Sequence, residues 1–104
     1  MSFFGNLFGA SQSNENLASL IQDGAFLVDV RSPGEFAGGS AKGAVNIPLD
    51  FITQQIKKFE GKKNIVVFCR SGNRSGQAKR ILEEKGFKNV TNGGTWNDVA
   101  ALQN

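Results

Sequence analysis

The stretch Asn64-Ile65-Val66-Val67-Phe68-Cys69-Arg70-Ser71-Gly72-Asn73-Arg74-Ser75 passes from a continuous apolar run into a polar loop and then into a helical pattern. A run such as Ile65 to Phe68 has no polar face to turn toward water. It suits a strand buried on both sides, as in a parallel sheet. From Arg74 or Ser75 onward, Ala78, Ile81 and Leu82 recur at helical spacing, and Gly86 supplies a stop signal. A thiol between strand end and helix start stands where ligands bind in open α/β sheets.

The remaining segments extend this pattern. The chain has 104 residues, enough for one compact domain. Residues 1–12 form an apolar and polar tail, and residues 13–104 the domain. The tail lacks the basic region of a signal peptide, and its Phe and Leu side chains are expected to pack onto the domain. Ser13 suits an N-cap, with Glu15 in the first turn and Leu17, Leu20 and Ile21 on one helical face. Ala25 to Val30 reads as a strand that contains Asp29. A buried carboxylate needs a partner, and Arg31 or a backbone N–H is the candidate. Ser32-Pro33-Gly34-Glu35 has the capping-box pattern of a short helix. Gly38 to Gly43 reads as flexible loop, and Ala44 to Pro48 as a short strand ended by proline. Asp50 is expected to cap a helix that turns Ile52, Ile56 and Phe59 inward and ends at Gly61. Phe87 to Thr91 reads as a last strand, Asn92-Gly93-Gly94 as a turn, and Thr95-Trp96 as the start of a terminal helix. Strands alternating with helices predict an α/β fold with a central parallel sheet and helices on both faces.

Composition narrows the chemistry. A net charge of +3 suits anionic small substrates and is too weak and scattered to argue for nucleic acid. No stretch approaches the roughly 20 apolar residues of a membrane span. A single cysteine excludes an internal disulfide, which points to a reducing, cytoplasmic setting. The absence of histidine removes Cys-His and Ser-His pairs and the usual metal sites, so neither a metal nor another cofactor is expected.

A lone cysteine ending a buried strand is usually a small core residue. Here the neighbours shift the balance. Ser71-Gly72-Asn73 can adopt a partly left-handed turn that aims successive N–H groups inward, an anion-binding nest. The following helix adds its free N–H groups and positive dipole end, and Arg70 and Arg74 add permanent charge. Each of these favours thiolate and would hold an anionic substrate. The helix carries Arg74, Lys79 and Arg80 early and Glu83 and Glu84 late, the reverse of what its dipole prefers. A bound anion would account for the basic start, while Glu83 can pair with Lys79.

These residues resemble the single-domain rhodaneses, or thiosulfate sulfurtransferases, over residues 13 to 100. Asp29-Val30-Arg31-Ser32-Pro33-Gly34-Glu35-Phe36 and Gly43-Ala44-Val45-Asn46-Ile47-Pro48 are similar to the two ends of that family's first signature. Cys69 to Ser75 is similar to its active-site loop, and Asn92-Gly93-Gly94 to its closing glycine pair. Ser40-Ala41 stands where the family usually has His-Ile. The resemblance implies a sheet of about five short parallel strands. It implies a sulfurtransferase in which Cys69 takes a sulfane sulfur from thiosulfate or a persulfide donor, carries it as a persulfide, and passes it to cyanide or a thiol acceptor. Arg70, Ser71, Gly72, Asn73, Arg74 and Ser75 would bind substrate, and Asp29 and Arg31 would give structural support. The loop has four residues between Cys69 and Arg74, one fewer than tyrosine phosphatases carry, which argues against phosphatase and arsenate reductase chemistry. The alternative is a sulfur-carrier or redox-sensing module that delivers persulfide to a protein acceptor.

Overall fold

The computed structural model describes residues 16–103. The expected tail over 1–12 and the Ser13 cap with Glu15 lie outside the described residues. Among the described residues the sheet has four strands: β1 (Phe26–Asp29), β2 (Val45–Asn46), β3 (Ile65–Cys69) and β4 (Val90–Thr95). All pairings are parallel and the spatial order is β2-β1-β3-β4. Helix α1 covers residues 16–22, α2 is Pro33–Ala37, α3 is Asn73–Glu84 and α4 is Trp96–Ala101.

The apolar run of β3 is buried at every position, as its lack of a polar face requires. Alternation then splits it between two cores. Ile65, Val67 and Cys69 join Val28, Ile47, Ile52, Phe59, Ala78 and Leu82 on the face covered by α3. Val66 and Phe68 join Leu17, Leu27, Ala41 and Val99 on the face covered by α1 and α4. Helices therefore pack on both faces. Helix α3 ends at Lys85 and Gly86. Gly86 has φ +100°, its N–H donates to Glu83 O, and the Phe87 N–H donates to Leu82 O. This Schellman closure uses a left-handed glycine to satisfy two carbonyls.

Three local expectations are corrected. The helix expected from Asp50 forms instead as two 3₁₀ turns, Leu49–Phe51 and Ile56–Phe59, and Asp50 makes no capping bond. Ile52 and Phe59 are still buried, because amphipathic spacing decides which residues face in. Without a side-chain cap, the short segment tightens to 3₁₀ bonding. Asn92-Gly93-Gly94 lies inside β4 and is not a turn: Val67 pairs with Asn92 and Phe68 with Gly94, so Gly93 is the extra residue of a β-bulge. The loop from Gly38 to Gly43 is anchored, with Ala41 buried and the Ser40 hydroxyl donating to Asp29 Oδ2 at 2.7 Å. No helix among the described residues is long and apolar enough to cross a membrane.

Sheet order also locates a switch point. The connection after β1 leads outward to β2, and that after β3 leads the other way to β4. The carboxyl ends of β1 and β3 thus lie side by side while their following segments diverge, the crevice where open α/β sheets bind ligands. Asp29 ends β1 and Cys69 ends β3.

Candidate active site

Cys69 is the last residue of β3 and has no exposed surface. The chain then turns through Ser71 and Gly72, and Gly72 takes φ +96° as the N-cap of α3. This left-handed step is the expected nest conformation, and only glycine adopts it without strain. It aims the Gly72 N–H at Cys69 Sγ, 3.0 Å away. One turn into α3, the Ser75 N–H and the Ser75 hydroxyl oxygen each lie 3.4 Å from the same sulfur. The helix start and the turn therefore converge on Sγ from one side, while the core packs it from the other.

Burial pushes the Cys69 thiol up. The Ser75 hydroxyl and the amides of Ser75, Ser71 and Gly72 outweigh that and leave it below the ordinary thiol value. A hydrogen bond to the charged form favours that form, so the loop stabilises thiolate with neutral dipoles.

The two arginines differ. Arg70 is exposed, and no carboxylate pairs with it among the described residues. Arg74 instead turns toward α2. Its Nη1 donates to Glu35 Oε1 at 2.8 Å and its Nη2 to Oε2 at 3.0 Å, a two-pronged pair. The basic start of α3 thus already has an intramolecular anion and does not by itself call for a bound one. Lys79 pairs with Glu83 at 3.7 Å, as the spacing suggested. Glu35 is held by the capping box of α2: Ser32 N–H and Oγ donate to Oε1, and the Glu35 N–H donates to Ser32 Oγ. Hydrogen bonding from the Arg74 guanidinium, then from the Ser32 amide, lowers its carboxyl from 4.5 to about 2.

Asp29 and Arg31 lie beneath the loops and do not contact Cys69. Asp29 is fully buried and Arg31 is 4 % exposed. Asp29 Oδ1 accepts the Arg31 backbone N–H at 2.9 Å, and Oδ2 accepts Arg31 Nη2 at 2.7 Å. Both candidate partners of Asp29 are therefore the same residue. Arg31 also donates to Gly39 O and stacks over Trp96 at 5.1 Å. In this chain Ser40 fills the remaining place on Asp29, and Ala41 packs in the second core. Ser71 and Asn73 are exposed at the loop's rim.

Two residues escaped the sequence. Glu35 was visible only as a helix cap, although a carboxylate fixed at the third helical position is a ready ion-pair arm. Asn92 reads as turn material, yet its side chain faces the cysteine loop from β4, donating to Gly72 O at 3.1 Å and accepting from Ser75 Oγ at 2.7 Å.

Comparison with known proteins agrees with this architecture. The family model described as a rhodanese-like domain matches residues 13–95. Thiosulfate sulfurtransferase PspE of Escherichia coli (strain K12) is 40% identical over 75 residues, covering 70% of this chain and 72% of that protein. A solved structure described as rhodanese with anions from E. coli superposes with TM-score 0.67 and 38% identity, covering 73% of this chain and 92% of that one. The structure of reduced Bacillus anthracis CoADR-RHD superposes with TM-score 0.72 and 32% identity. This chain is covered over 86% of its length but spans only 16% of that much longer protein.

Proposed function

Because this chain belongs to the rhodanese-like domain family, we propose that it is a sulfurtransferase that moves a sulfane sulfur through a persulfide on Cys69. The donor is a small anionic sulfur compound such as thiosulfate. The Cys69 thiolate attacks the outer sulfur. A new S–S bond forms at Sγ, the S–S bond within thiosulfate breaks, and sulfite leaves with the electron pair. Cyanide or a thiol then attacks the terminal sulfur of the persulfide, and its departure as thiocyanate or a new persulfide restores the thiolate. No proton has to be taken from a hydroxyl, so the absence of histidine is no obstacle.

One observation carries this proposal: the Gly72 N–H donates to Sγ at 3.0 Å, with the Ser75 amide and hydroxyl at 3.4 Å. Donors aimed at the sulfur itself stabilise the thiolate as nucleophile and again as leaving group. In this reading the amides of Arg70, Ser71, Gly72, Asn73, Arg74 and Ser75 line the persulfide cradle. Arg70 draws the donor anion in. Arg74 orients it by exchanging Glu35 for substrate oxygen. Asp29 and Arg31 hold the floor.

The test is intact mass after incubation with thiosulfate, before and after a cyanide chase. Wild-type protein gains one sulfur atom and loses it to cyanide, and Cys69→Ser gains none. A wild-type chain that takes up no sulfur, or a Cys69→Ser chain that takes it up equally, overturns the proposal.

A further inference from the structure

The side chain of Asn92 has both ends engaged on the cysteine loop. Its Nδ2 donates to Gly72 O at 3.1 Å. Its Oδ1 accepts the Ser75 hydroxyl at 2.7 Å and the Gly94 N–H at 2.9 Å. Gly72 and Ser75 each place a donor within hydrogen-bond reach of Cys69 Sγ. The bulge at Gly93 makes this possible. The extra residue lets β4 leave its register with β3 immediately after Asn92, and bulges commonly re-aim a side chain beside a functional site. The left-handed Gly94 then turns its N–H back onto the same amide oxygen.

We infer that Asn92 is a positioning residue for the Cys69 thiolate, acting from the β4 bulge through Gly72 and Ser75. The inference deepens the sulfur-transfer proposal and rests on it for the role of the thiolate. Gly72 contributes the shortest contact to the sulfur. Its carbonyl accepts the Gly76 N–H at 3.0 Å as the first bond of α3, and the Asn92 amide adds a second tie from β4 that holds the turn against the strand.

Ser75 adds a second route. Its Oγ lies 2.7 Å from Asn92 Oδ1 and 3.4 Å from Sγ. The Asn92 contact fixes Oγ beside the sulfur, where the Ser75 hydroxyl is among the groups that lower the thiol. Without that contact Oγ is free to rotate away, and the charged form loses a hydrogen-bonding partner.

The chain suits a direct test, because it has one cysteine and no tyrosine or histidine. Thiolate absorbance in the ultraviolet therefore reports Cys69 alone, and no sulfur-transfer activity is needed to record it. The charged groups near the loop are Arg70 within it, Arg74 with Glu35, and Asp29 with Arg31, and they are left unchanged in every variant. Asn92→Ala is expected to raise the thiolate midpoint by about one pH unit, because it loosens the Gly72 and Ser75 groups that hydrogen-bond the charged form. Asn92→Asp, with the same shape but a carboxylate against Gly72 O, is expected to raise it further. Ser75→Ala raises it as well, and Ser75→Ala with Asn92→Ala together shift it by less than the sum, since part of the effect passes through Ser75. Circular dichroism identifies the folded variants, and the near-isosteric Asn92→Asp serves if Asn92→Ala does not fold. A folded Asn92 variant that titrates at the wild-type midpoint overturns the inference, even if thiosulfate uptake is intact.

Discussion

Glu35 shows how one side chain can serve a helix cap and a distant ion pair together. Its Oε1 accepts from the Ser32 amide, the Ser32 hydroxyl and Arg74 Nη1, so the α2 cap and the ion pair share an atom. The carboxyl is lowered from 4.5 to about 2. A depressed acid stabilises the folded state in its ionised form. The pair is therefore fully present above pH 4.5 and is lost as pH falls from there through about 2. A pH titration followed by carboxyl carbon resonances should give Glu35 a midpoint near 2. In Glu35→Gln, Arg74 loses its competing anion, so KM for thiosulfate should fall; an unchanged or higher KM would mean that Arg74 does not meet the donor. The sequence revealed the capping box because its signature lies within four residues. It hid the pair because Glu35 and Arg74 are 39 residues apart and meet only through the sheet. Cys69 was legible for the opposite reason, since the loop that surrounds its sulfur follows it directly in the chain.

Among the elements, β4 departs furthest from its sequence pattern. Two adjacent glycines read as a turn, because glycine weakens a strand, and no local signal distinguishes a turn from a bulge. The partner decides: Val66 and Val99 press against Gly93, where an added Cβ would lie 2.9 Å from Val66 Cγ1 and 3.0 Å from Val99 Cγ2. Gly93 is needed for this close approach, unlike Gly72 and Gly94, whose positive φ requires glycine. Gly93→Ala should therefore overpack the second core and cost about 1–3 kcal/mol in urea denaturation. A cost near zero would show that the two valines yield without strain. Because the bulge also aims Asn92, the same substitution should raise the Cys69 titration midpoint. The segment from Leu49 to Phe59 shows the complementary case, in which apolar spacing identified the buried Ile52 and Phe59 while the hydrogen bonding took a tighter form.

For the whole molecule, the alternation of strands and helices was legible because each period is local. The order β2-β1-β3-β4 was not, since it rests on contacts between distant segments. That order puts Asp29 and Cys69 at neighbouring strand ends, and the Asp29–Arg31 pair ties the surroundings together. Arg31 reaches Gly39 and Trp96, Ser40 reaches Asp29, and Asn46 Nδ2 donates to the carbonyls of both Asp29 and Arg31. The segments after β1, β2 itself and the start of α4 thus meet at one buried pair. Such a pair is weak evidence of net stability, because desolvation offsets attraction. Breaking it is another matter. Asp29→Ala leaves a guanidinium 4 % exposed with no carboxylate, and removing one partner of a buried pair costs about 3–5 kcal/mol. Domains of this size are stable by only about 5–15 kcal/mol, so the urea midpoint should fall steeply. Salt screens buried charges poorly, so added salt should leave the deficit in place. Replacing both partners, as in Asp29→Leu with Arg31→Met, removes the stranded charge and should recover part of the loss. A single Asp29→Ala variant as stable as wild type would mean that Gly39 O and the Trp96 ring suffice for Arg31, and that the hub at the base of the cysteine loop is held by packing alone.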